Sequence, residues 1–516
     1  MELPRRSFLA GAFLVVGPAG SAAVERSAAP GVARGDTAGR ASPEDALHTS
    51  QFVTLNAALA AWTVKGGRLV VDQDIVTSQT FGPGEGVLLP DKDYVLETRG
   101  RRTIAYDGPI AFEFLRLLQT EGRANLQIRG PLTIDCRGRA STGVWIDNQF
   151  VTGTDRRDVI VDGLHVMNCK LHTNHAGGAN GIVFNGGAGQ LVIRNWSVRD
   201  ITRRAGAGQA GSYGTAGLVV FGHSTDTANP RRVLIEKFHV SAIATEDRPG
   251  TAAYSDGDGV LVFQYKVGDD DVEAPVIREG VIENAFGRAI KRYATAFGGL
   301  TEDITVIRSV QGVNTGSIDI AHQDGSGVIR DIRFIYSGAA HVTPTKPVGM
   351  SLGVRANPGH GAVENIRIED TTGAVKGCLV QLYYNMADPA PRHYAIRNVT
   401  DTGKAECIFL PGALGATGRV SIALEDIDCE LTKAVCLTDD HIVNLTVTGT
   451  RLVNRGPDVP VVRTVTGRNV MKPDRWGSWR GDATLRGFTR YSGRGIGSPN
   501  FSNGFSGPGS GAAPGR

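Results

Sequence analysis

Two stretches between residues 254 and 293 hold side chains whose types and spacing could do chemistry. Tyr254-Ser255-Asp256-Gly257-Asp258-Gly259 offers two carboxylates and a phenol in a Gly-rich turn. Arg288-Ala289-Ile290-Lys291-Arg292-Tyr293 offers cations and another phenol. A pair of carboxyl groups can serve as proton donor and as base or nucleophile, which is hydrolytic chemistry. A base beside a fixed cation can instead remove a carbon-bound proton and hold the developing charge, which is elimination chemistry. Neither set is a site unless the fold brings distant segments together.

A repeating phrase of two short strands would do so. An apolar triplet opens each phrase: Val159-Ile160-Val161, Leu191-Val192-Ile193, Val233-Leu234-Ile235, Val276-Ile277-Arg278, Ile304-Thr305-Val306, Ile332-Arg333-Phe334 and Ile366-Arg367-Ile368. A small residue and a second strand follow, at Gly143-Val144, Gly181-Ile182, Gly217-Leu218, Gly259-Val260, Ala289-Ile290, Ser317-Ile318, Gly349-Met350, Cys378-Leu379, Cys407-Ile408 and Ala434-Val435. Steps between these anchors run from 27 residues (408 to 435) to 42 (218 to 260), as expected of similar coils joined by loops of variable length. The small residue suits a turn with permissive backbone angles, and the alternation after it suits a half-buried strand. The expected fold class is therefore all-β, a parallel β-helix (solenoid).

In such a stack the same position in successive coils lies about 4.8 Å apart. One residue after the anchor stand Leu261, Lys291, Asp319 and Ser351, and three after it Asp147, Asn185, Phe221, Phe263 and Tyr293. Five after it stand His223, Tyr265, Gln323, Arg355 and Tyr384, while Asp258 falls beside Arg288 of the next coil. The expected catalytic groups are Lys291, Arg288, Asp258, Asp256, Asp319 and His322. The expected binding groups are Tyr254, Phe263, Tyr265, Arg292, Tyr293, Gln323, Asp324, Arg355 and Tyr384. Aromatic faces with acids, amides and cations suit sugar rings, and Lys291, Arg292 and Arg355 suit an anionic sugar. The bland alternative is a solvated sheet carrying ordinary cross-strand ion pairs.

Composition narrows the partners. The 516 residues hold 55 basic and 52 acidic side chains, well mixed, so nucleic acid is not an expected partner. Gly 68 and an aromatic share of 7% favour thin repeated layers. No Cys-x-x-Cys spacing suggests zinc, and no cofactor is expected, although Asp269-Asp270-Asp271 could hold calcium. His172 and His175 lie in a Gly-rich loop and lack an evident third ligand. Cys378 and Cys407 fall at equivalent positions one coil apart, as a disulfide or as stacked thiols.

At the start, Arg5-Arg6-Ser7-Phe8-Leu9 precedes an apolar stretch, Ala10 to Val16, that is too short to span a bilayer, and Ser21-Ala22-Ala23 offers a cleavage site. This resembles a twin-arginine signal, which implies recognition by the twin-arginine translocase, export to the periplasm or medium, and no membrane span in the mature protein. The expected segments are a signal peptide (1–23), a linker (24–41), the coils (42–468), a C-terminal cap (469–490) and a loose Gly/Ser/Pro-rich tail (491–516). Ser42-Pro43-Glu44-Asp45 reads as the start of an amphipathic capping helix carrying Phe52, Leu55, Leu59 and Trp62 to Gly66-Gly67.

The helix, Gly-Gly, the strand Arg68-Leu69-Val70-Val71 and the coils that follow resemble the pectate lyase superfamily of right-handed parallel β-helices, as tailspike depolymerases do. The resemblance covers roughly Ser42 to Arg468 and implies a polysaccharide substrate. It does not transfer an activity. Polygalacturonases carry Arg-Ile-Lys where this chain has Arg288-Ala289-Ile290-Lys291, and the Arg-x-Pro-x-x-Arg pattern of pectate lyases is absent. Three functions are expected in descending order: a lyase acting by β-elimination on a uronate-containing glycan, a glycoside hydrolase using paired Asp, and a noncatalytic exopolysaccharide-binding protein.

Overall fold

The computed structural model describes residues 45–81, 86–90, 92–119, 125–148, 158–172, 178–204, 215–222, 229–245, 257–264, 272–294, 299–309, 320–322, 327–337, 350–354, 360–370, 378–384, 392–401, 407–411, 420–431, 437–438, 442–448 and 451–454, with short pieces between 459 and 506. It is mostly strand, and the long strands pair in parallel within two large sheets, an arrangement compatible with an all-β parallel solenoid. Apolar side chains from the inner faces of both sheets form one continuous core.

The helix begins later than the sequence suggests. It spans Leu55–Lys65, with the Thr54 side chain accepting from Ala57 N at 3.1 Å as its cap, because residues 49–51 form a separate short turn of 3-10 helix. Leu55, Ala58, Leu59 and Trp62 are its buried face. Gly66 and Gly67, at φ 72° and 71°, end it in a conformation that favours glycine. Trp62 Nε1 then donates to Gly67 O at 3.0 Å, which ties the helix to the strand Gly67–Val71.

The second sheet is a regular ladder of short strands, among them Ala111–Gln119, Ala140–Asn148, Asn180–Gly186, Thr215–Phe221, Gly257–Gln264, Ile290–Ala294, Ile320–His322, Met350–Val354, Cys378–Tyr384 and Cys407–Pro411. Its register runs Leu115, Val144, Ile182, Leu218, Val260, Ile290, Ile320, Met350, Val380, Phe409 and Leu437. Four expected anchors therefore move: Ile318 to Ile320, Leu379 to Val380, Ile408 to Phe409 and Val435 to Leu437. A slip of one residue exchanges the two faces of a strand, so these shifts decide which side chains share a row.

Glycine before each anchor serves a purpose other than the expected turn. Gly143, Gly181, Gly217 and Gly259 have no positive φ. A Cβ at these positions would lie 2.3, 2.4, 2.8 and 2.8 Å from Val166, Val198, Val240 and Ile282 of the facing sheet. These glycines permit close approach of the two sheets, a steric need.

The first sheet's strands are longer and bend at residues in the left-handed region. Asn195, Lys237, Glu279, Asp303, Asp331, Asn365, Asn398 and Asp426 all have φ between 48° and 56° and occupy one column. Asn and Asp tolerate this conformation better than most residues, and the column adds side-chain bonds such as Asn365 Nδ2 to Asp331 Oδ1 at 2.8 Å. The apolar triplets fall on both sides of this bend. Those at 159, 191, 233 and 276 precede it and those at 304, 332 and 366 follow it, so they belong to two columns.

Just before the bend, the outer face carries Glu97, Arg129, Asp162, Arg194, Glu236, Arg278, Glu302, Arg330, Glu364, Arg397 and Glu425 in register, alternating in sign at every step. Arg278 reaches Glu236 at 2.6 Å, Arg330 reaches Glu302 at 2.6 Å, and Arg397 bonds Glu364 and Glu425, each at 2.6 Å. Hydrogen bonds to these carboxylates push all three guanidinium groups above their ordinary pKa.

Candidate functional site

The outer face of the second sheet follows different rules. Its first row runs Glu113, Thr142, Asn180, Ala216 and Asp258. The next runs Arg116, Trp145, Val183, Val219, Leu261 and Lys291. A third runs Leu118, Asp147, Asn185, Phe221 and Phe263. No charge pattern repeats along these rows. Polar groups gather in two places, separated by an apolar saddle.

The saddle consists of Val183, Ala216, Val219 and Leu261, with Trp145, Phe221 and Phe263 packed against it. Phe221 and Phe263 stack at 5.4 Å with an 8° interplanar angle, as residues one pass apart in one row can. Lys291 Nζ lies 6.0 Å from the Phe263 ring centroid.

Asp258 and Arg288 meet at one end, as the spacing predicts. Arg288 N donates to Asp258 Oδ1 at 2.9 Å, and the Arg288 guanidinium is 3.8 Å from the same oxygen. Asp258 is 1% exposed, and Arg308 donates to Ala285 O and to Gly287 O (2.8 Å) in the same turn. Asp258 therefore holds the turn that carries Arg288.

Three other expectations change. Lys291 has Leu261 and Ala321 as its register neighbours. Arg292 is paired in register with Val262, an inner-face residue, and is fully buried, so it does not line the outer face. A Cβ on Gly299 would lie 1.9 Å from Arg292 Nη1, so the guanidinium occupies space that only glycine leaves. His322 shares the register position of Arg292, two residues after its anchor and not four. Tyr384 pairs with Val354, and it is Tyr383, opposite Gly353, that stands three residues after its anchor as Phe263 and Tyr293 do. Tyr254, Asp256, Tyr265, Asp319, Gln323, Asp324 and Arg355, together with His175 and Asp269 to Asp271, lie outside the described residues.

At the other end a second polar group was not foreseen. Arg116 pairs with Asp147, lies 3.7 Å from Glu113, and stands 5.6 Å from the Trp145 ring centroid. Asn185 Nδ2 donates to Asp147 Oδ1 at 3.3 Å. Burial pushes the Glu113 carboxyl up to about 7, Arg116 opposes this and Asp147 adds to it. The sequence concealed this group because Phe114 stands where the next five passes carry glycine or alanine, so this pass lacks the small-residue mark. His172 Nε2 lies 2.6 Å from Gly138 O, a bond to backbone and not one half of a metal pair. Among the described residues no cluster of three or more His, Cys, Asp or Glu side chains could hold a metal ion.

Fold and face define a class: a mostly β protein of stacked parallel strands with one regular and one irregular outer face. Family models, curated proteins and solved structures give no match to the chain. No helix among the described residues is long and apolar enough to cross a membrane.

Proposed function

We propose that this chain is a right-handed parallel β-helix, exported through a twin-arginine signal, that binds and cleaves a polysaccharide along the outer face of the second sheet. The observation that carries the reading is the stacked, half-buried pair Phe221 and Phe263 with the adjoining Lys291. Sugar rings pack their apolar faces on aromatics, while cations receive carboxylates and hydroxyls. The strand ends of this sheet adjoin connections of uneven length, such as 205–214 and 295–298, whereas first-sheet strands such as Pro230–Thr245 run unbroken. Variable connections beside a constant scaffold suit a binding face.

The preferred reaction is β-elimination on a uronate. Lys291 takes the proton beside the sugar carboxylate, Arg288 stabilises the charge that develops, and the glycosidic oxygen leaves from the adjacent carbon. Glu113 favours a second reading, hydrolysis, because a carboxyl that keeps its proton near neutral pH beside Asp147 has the properties of a general acid. Mature protein incubated with acidic and neutral polysaccharides separates these. Unsaturated uronate absorbance is expected together with new reducing ends. Reducing ends alone replace elimination with hydrolysis, and binding without cleavage leaves a noncatalytic glycan-binding protein.

A further inference from the structure

Cys136 and Cys169 stand in adjacent passes of the first sheet with their sulfurs 3.4 Å apart, in the core and 0% and 1% exposed. Cys136 N donates to Met167 O at 3.0 Å and Gly138 N donates to Asn168 O at 2.7 Å, which sets Cys136 across from the Asn168-Cys169 corner. Neighbouring strands are about 4.8 Å apart, inside the Cα separation a disulfide requires, and the sulfurs need only close to about 2 Å. Other inner positions at this corner are aliphatic: Cys169 is followed by Ile201, Ile243 and Ala285.

The two sulfurs are not equivalent. A cavity of about 410 Å³ is lined by Arg137, Asn168, Cys169, Lys170, Asp200 and Thr202, and Cys136 is not part of its wall. Two cations in that wall suit a small anionic disulfide. The Cys136 thiol is pushed well above its ordinary pKa by its bond to Cys169 and by burial, which leaves it slow to react first.

The geometry points to a redox modification site in which Cys169 exchanges with a small anionic disulfide and Cys136 resolves the adduct, closing a staple between adjacent passes. The Cys169 thiolate attacks one sulfur of the small disulfide, the S–S bond breaks and one thiolate leaves. The Cys136 thiolate then attacks the Cys169 sulfur and the second small thiolate leaves. The protein loses two protons and two electrons, and the small disulfide becomes two thiols. This chemistry does not depend on the polysaccharide reading.

The test uses native full-length protein and oxidised glutathione. The expected result is an intact mass lower by two hydrogens, a proteolytic map joining the Cys136 and Cys169 peptides, and reversal by dithiothreitol. Cys136→Ser is expected to retain a glutathionyl group on Cys169, whereas Cys169→Ser places none on Cys136. Recovery of both residues as alkylated thiols overturns the proposal. So does a cross-link that forms only in denaturant, or one that joins either residue to a different cysteine.

Discussion

The outer faces of the two sheets use the same kinds of residue in opposite ways. On the first sheet, each charge from Glu97 to Glu425 has an opposite charge next to it in register. Repetition at every pass is the mark of a device that serves the stack itself, since no pass differs from the next. On the second sheet, Glu113, Arg116 and Asp147 form one local group and Asp258 and Arg288 another, with apolar side chains between them. The concern that stacked charges are ordinary cross-strand pairs therefore describes the first sheet. What breaks the repeat is the better guide to a site.

Four experiments would break or sharpen that contrast. The largest effect is expected for Lys291→Ala, a loss of at least about 100-fold in polysaccharide cleavage with little change in Tm, while Glu302→Ala leaves cleavage within about twofold. Equal losses in both variants would erase the functional distinction between the faces.

Glu113 supplies the next, through pH. Its folded pKa of about 7 lies above the ordinary glutamate value of 4.5, so the folded state binds more protons between those values. Stability must then fall as pH rises through that window, by on the order of 3 kcal/mol, and the part of the fall due to this group should vanish in Glu113→Gln. Melting curves at pH 5 and pH 8 measure it, and an unchanged pH dependence in the variant would remove Glu113 from the account.

Gly217→Val tests the close approach of the sheets. Its Cβ would meet Gly259 O at 2.7 Å and Val240 at 2.8 Å, so a cost of about 1–3 kcal/mol is expected in denaturant unfolding. The smallest effect is expected for Arg330→Glu, which sets three acids in succession with Glu302 and Glu364. Exposed pairs contribute little, so about 1 kcal/mol is expected, reduced by salt.

Much of the second sheet was legible because glycine or another small residue marks its strands. Reading failed where that mark was absent or ambiguous. Ser317-Ile318 imitates the motif, yet residues 260, 290, 320, 350 and 380 fall at even steps of 30, a spacing that selects Ile320 and Val380. The bend of the first sheet also has a readable signature, as in Arg330-Asp331-Ile332, Glu364-Asn365-Ile366 and Arg397-Asn398-Val399. Treating Ile304 and Val276 as equivalents hid it.

The sequence by itself determined that this chain builds parallel strands at a recurring interval and that Asp258 meets Arg288. Apolar alternation and small-residue spacing are local properties, and they survive errors of one or two residues in register. Only the tertiary structure decided the direction of each side chain. With a strand period of two, one slipped residue carries a group from the surface to the core. For that reason Lys291 stays on the outer face while Arg292, its neighbour in sequence, is buried against Gly299. Tertiary structure also joined Glu113 to Asp147 and Cys136 to Cys169, because each pairing depends on which passes become neighbours and on what packing excludes from water.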